Sequence, residues 1–203
     1  MDELIIVHAG LGGLALLSGL IALVTKKGSR IHKKSGITFF FSMLISALVS
    51  LIVSISPGHY NMFLFLIGLI SVYFLLSGYL ILKFKSSKKG LLVLKTQGLI
   101  MFINGAIMIV LSLLWFDMIK ALLLIFGVLI LFFGWKDWRL SKLANHHQLS
   151  WLKEHIGKMT AGYISCVTAF FVVNQFLPGI WNWILPGVVG SIYIIIQSKK
   201  IKT

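Results

Sequence analysis

Seven stretches of mostly apolar residues recur along the chain, at about 4–25, 37–56, 62–82, 96–116, 119–135, 156–177 and 183–197. Segments rich in Lys and Arg, or in Pro and Gly, divide them. A helix needs about 20 apolar residues to cross the hydrocarbon core of a bilayer, so each stretch is long enough, or nearly so, to span it. The pattern predicts an all-α fold: a polytopic membrane helix bundle of seven transmembrane helices in one domain, 1–203.

Residue spacing within the stretches adds faces to these helices. In the first, His8, Gly12, Ala15, Gly19 and Ala22 recur every three or four residues and make a face with almost no side-chain bulk, against which another helix packs closely. His8 is expected to point inward, against the second or a later helix. In the second, Ser42, Ser46, Ser50 and Ser54 form a hydroxyl stripe. Serines in membrane helices usually bond their own backbone carbonyls, so backbone bonding is expected ahead of a polar crevice. The sixth carries His155, Met159, Gly162, Cys166 and Ala169 on one face. The fifth, apolar all round, is expected to face lipid or be purely structural. A polar segment, 136–158, is expected to lie as an amphipathic stretch on the inner surface.

Composition agrees with the pattern. Hydrophobic residues make up 58% of the 203, charged residues only 12%, and the mean hydropathy is +0.97. A net charge of +14 in a soluble chain would point to nucleic acid. Here the cations sit between membrane spans, where they set orientation, and no nucleic-acid partner is expected. With the N-terminus outside and the C-terminus inside, only Lys120 of the nineteen Lys and Arg falls outside. The six tryptophans all lie at or near the ends of the apolar stretches, as in an interfacial belt. The five acids fall at or beyond predicted helix ends, so no carboxylate is expected at mid-membrane.

Candidate chemistry rests on the six histidines. His8 and His59 fall on the outer side; His32, His146, His147 and His155 on the inner. From His8 to His32 a helix rises ~36 Å at 1.5 Å per residue, which excludes one shared metal. Imidazole ligates haem iron, zinc and copper, and Met159, one turn after His155, adds a soft ligand. The candidate ligand or polar site is therefore His8, His32, His155, His59 and Met159, with haem b or a transition metal as the cofactor it would take. His32 and His155 open helices running outward from the same side, so they are expected at similar depth. If those helices are neighbours, the two rings would share an ion. A complete catalytic set is absent from the sequence pattern. Three functions are compatible with it: a histidine-ligated redox or electron-transfer protein, a non-enzymatic assembly or structural protein with a membrane-protein partner, and a small-solute transporter.

Three segments carry a resemblance. His8-Ala9-Gly10 in a Gly-rich helix, Lys27-Gly28-Ser29-Arg30-Ile31-His32-Lys33-Lys34-Ser35-Gly36, and His155-Ile156-Gly157-Lys158-Met159 leading to Thr168-Ala169-Phe170 look like an uncharacterised family of bacterial multi-pass membrane proteins. The resemblance implies the bacterial cytoplasmic membrane and makes His8, His32 and His155 a shared constellation. It implies no activity. Where that family has Arg after a histidine, this chain has Lys33 and Lys158, which keep the charge and lose the planar fork.

Overall fold

The computed structural model describes residues 1–84, 87–115, 117–142 and 151–201. His146 and His147 lie outside the described residues, as do residues 143–150 of the polar segment 136–158, whose two ends are not a surface stretch but belong to α5 and α6. Among the described residues seven helices follow one another: α1 (Asp2–Val24), α2 (Arg30–Ile55), α3 (Met62–Phe84), α4 (Lys88–Ser112), α5 (Asp117–Ser141), α6 (Trp151–Asn174) and α7 (Trp181–Lys199). The first six are long and apolar enough to cross a membrane. In α7 the apolar run is diluted by Asn182, Pro186, Gly187 and Gly190.

Several helices run beyond the apolar stretches that announce them. Arg30 to Lys34 belong to α2, because Ser29 caps its N-terminus by accepting the His32 backbone N–H at 3.1 Å. Ser87 does the same for α4, accepting from Gly90. Helix α5 continues past Trp135 through Lys136, Asp137 and Arg139 to Ser141, and α6 starts at Trp151 rather than near residue 156. Helical backbone hydrogen bonding does not stop where charge begins, since long basic side chains carry their heads toward water while their stems stay on the helix.

The helices pack as two compact units, one of Met1–Leu75 with Met159–Ile194, the other of Leu76–Lys158 with Ile195–Thr203. In the first, α1 buries Ala15, Gly19 and Ala22 of the small-residue face expected of it, and Ser18 beside them. Gly19 receives the rings of Tyr163 and Phe39, which stand edge to face at 5.9 Å. Tyr163 donates its hydroxyl proton to the Leu16 carbonyl (3.3 Å), and Cys166 lies 3.6 Å from the Gly12 carbonyl.

In the second unit α4 and α5 form an antiparallel pair with glycine meeting glycine twice. Gly98 faces Gly134 and Gly105 faces Gly127, and an added Cβ at any of the four would come within 3.0 Å of the opposite helix. Close backbone approach of this kind replaces the missing hydrophobic drive between helices in lipid. The expectation that α5 is apolar all round is corrected here. The helix has a packed glycine face and a charged C-terminal end.

Candidate functional site

The C-terminal end of α5 carries what the sequence reading missed. Asp137 is completely buried, and α6 meets it with Lys158, 3% exposed. The Lys158 ammonium donates to Asp137 Oδ2 at 2.5 Å and to Ser77 Oγ of α3 at 2.6 Å. One lysine thus ties three helices together. Both distances are at the short end for hydrogen bonds, as when the donor is charged. Removing the two charges from water costs several kcal/mol each, so a buried pair of this kind is poor evidence of selection for stability. An ionisable pair inside membrane helices is more often part of an ion or substrate path. The sequence pattern puts Asp137 just beyond the fifth apolar stretch; the structure holds it in the last turns of α5, and buried.

Two further groups adjoin this pair along α5 and α6. Lys136, next to Asp137, makes an ion pair with Glu154 at 2.8 Å, and that pair is partly open to solvent. Glu154 lies one helical turn before Lys158. His155 is tied to α3 by Nδ1, which lies 2.9 Å from the carbonyl of Gly78, the residue after Ser77. Charges of both signs therefore alternate across the α5–α6 contact, with a buried rung and an outer one. The signal available in the sequence was the sign pattern: Lys136-Asp137 on one segment and Glu154 with Lys158, four apart, on the next.

The predicted histidines each receive a definite place. His8 Nδ1 lies 2.9 Å from the Ser46 carbonyl and 2.9 Å from Ser46 Oγ, while that hydroxyl is 2.9 Å from the His8 carbonyl. The ring points inward onto α2, as expected. Ser42, Ser50 and Ser54 bond backbone carbonyls of α2 itself, so Ser46 is the member of the stripe that reaches across. His32 Nδ1 lies 2.9 Å from the Ala22 carbonyl at the end of α1. His59 is exposed in the turn after α2, where Gly58 takes a φ of +79°. Met159 is half-buried in α6.

A common chemistry links His8, His32 and His155. A carbonyl oxygen only accepts, so Nδ1 is the protonated nitrogen in each, and the lone pair of the neutral ring lies on Nε2. That is the tautomer a metal-ligating histidine adopts when a backbone carbonyl orients it. Among the described residues, however, no group of three or more His, Cys, Asp or Glu is placed to hold a metal ion. The protein-family models, the curated proteins and the solved structures compared with this chain yield no match.

Proposed function

We propose that this polytopic membrane protein is a proton-coupled carrier of a small anionic solute in the bacterial cytoplasmic membrane, oriented N-out and C-in with α7 as a seventh span. The buried Asp137–Lys158 pair carries the reading. Intact, the pair is neutral overall and offers a solute nothing. A proton arriving at an Asp137 carboxylate oxygen dissolves the pair, and the Lys158 ammonium is then a donor without its strongest acceptor, with the Ser77 hydroxyl beside it. An anion takes that place, so one proton and one negative charge occupy the site together. Release of both restores the ion pair. The distribution of Lys and Arg supports the orientation, and the resemblance of the three histidine motifs supports the membrane.

The test is uptake into proteoliposomes. With a small carboxylate such as radiolabelled pyruvate or succinate outside and an inward pH gradient, the wild type is expected to accumulate label, and Asp137→Asn to abolish the dependence on the gradient. Gradient-driven uptake that survives Asp137→Asn, or no uptake across such a panel, sinks the reading. In whole cells a Lys200→Cys variant tests orientation, since an impermeant maleimide should label it only after lysis.

A second reading has its own observation. His8 and His32 hold Nδ1 on backbone carbonyls, the orientation of histidines that ligate haem b or a transition metal through Nε2. Protein purified from cells supplied with haem and metals would then show a Soret band or a stoichiometric metal that His8→Ala or His32→Ala removes. A colourless, metal-free sample ends this reading.

A further inference from the structure

The turn between α1 and α2 holds a cluster of cations of which one is spent on structure and four are not. Lys27 bends back over the end of α1, donating to the Ala22 carbonyl at 3.0 Å and the Leu23 carbonyl at 2.7 Å. These are among the last carbonyls of the helix, which have no intrahelical donor. Tyr193 of α7 adds its hydroxyl to the Leu23 carbonyl at 2.9 Å and lays its ring 5.5 Å from the Lys27 ammonium. His32 closes on Ala22 from the α2 side, and Gly28 supplies the left-handed turn with a φ of +79°. Three side chains, from the turn itself, α2 and α7, and a positive-φ glycine thus fix the path of the turn.

What this frame presents outward is Lys26, Arg30, Lys33 and Lys34, all exposed. None of the four makes an ion pair among the described residues, and the first turn of α2 contains no acid. Apolar side chains are interleaved with them: Val24, Ile31 and Ile37 are exposed on the same stretch. Cations held in a rigid turn beside uncovered aliphatic surface match a molecule that is anionic at one end and aliphatic at the other.

From this we infer that the α1–α2 turn is a binding site for the headgroup of an anionic phospholipid, with Lys26, Arg30, Lys33 and Lys34 taking the phosphate and Ile31 and Ile37 the start of the acyl chains. Polybasic segments next to a membrane helix attract anionic lipid in this way. The rigid frame makes the site local, in contrast to the general attraction of every basic loop.

Native mass spectrometry of the full chain in detergent, titrated with phosphatidylglycerol or with phosphatidylcholine of the same acyl chains, reads the site directly. The wild type is expected to retain one phosphatidylglycerol in preference, and K26Q/R30Q/K33Q/K34Q to lose that preference by about tenfold or more. Because removing loop cations can reverse membrane insertion, R30Q/K34Q is measured alongside and should show an intermediate loss. The set K83Q/K88Q/K89Q/K95Q removes as many charges elsewhere and should keep the bound lipid. Equal retention by the quadruple turn variant overturns the proposal. So does equal loss in the control set, which would mean diffuse attraction, or full displacement by millimolar inorganic phosphate, which would mean a site for free phosphate.

Discussion

Lys158→Ala should cost the folded protein about 3–5 kcal/mol, the range for breaking a buried ion pair on one side only. The size of the effect comes from what is left behind. Asp137 is completely buried, and the substitution would strand its carboxylate without the ammonium 2.5 Å away. Ser77 Oγ loses its partner as well. The double variant D137L/K158M removes both charges and fills both volumes with apolar atoms, so much of the lost stability should return, and in comparable cases replacement of a buried pair is neutral or stabilising. Proton-coupled uptake should be absent from both variants. The stability measurement is thermal or denaturant unfolding in one detergent. An unchanged midpoint for Lys158→Ala would mean the pair is not buried as described. Full proton-coupled uptake by D137L/K158M would make the pair a clasp between helices and nothing more.

The contrast between the two ends of the chain's chemistry explains what was legible in sequence. His8 was legible because it shares a three- and four-residue spacing with Gly12, Ala15, Gly19 and Ala22, and a face that small must be covered. Helical periodicity alone turns that ring inward. Asp137 was not legible by the same means. Reading helices as apolar runs ends α5 at Trp135, one residue before Lys136, and assigns the carboxylate to a surface segment. Its burial depends on α5 continuing for another turn and a half and on Lys158 arriving from α6, a partner 21 residues away. Lys158 in turn reads as one more cation at an inner helix end, which the orientation rule already accounts for. The glycine pairing of α4 with α5 falls between these cases. The seven-residue interval from Gly98 to Gly105 recurs from Gly127 to Gly134, and two such intervals on adjoining helices are a packing signal that single-helix amphipathicity does not register.

Those glycines lead to the other large effect, expected for Gly134→Ala. A Cβ on Gly134 would lie 2.7 Å from the Gly98 carbonyl oxygen and 2.7 Å from the Phe102 backbone nitrogen. Both are main-chain atoms of a helix, which cannot swing aside as a flexible side chain does, so α4 and α5 must separate. Overpacking that forces backbone shifts costs about 1–3 kcal/mol, and Gly134→Leu should exceed that range. The gain in helix propensity from Gly to Ala, up to about 1 kcal/mol, opposes the loss without cancelling it. Gly10→Ala isolates that opposing gain, because a Cβ there meets nothing within 4 Å, and it should leave the unfolding midpoint unchanged or raised. The consequence reaches the buried pair. The position of an added Cβ on Gly98 is 3.0 Å from Asp137 Cβ, so the closeness of α4 and α5 also sets where the carboxylate stands. Widening that contact in Gly134→Ala should therefore weaken gradient-driven uptake along with stability. A Gly134→Ala protein that unfolds at or above the wild-type midpoint would show that the two helices do not touch through their backbones.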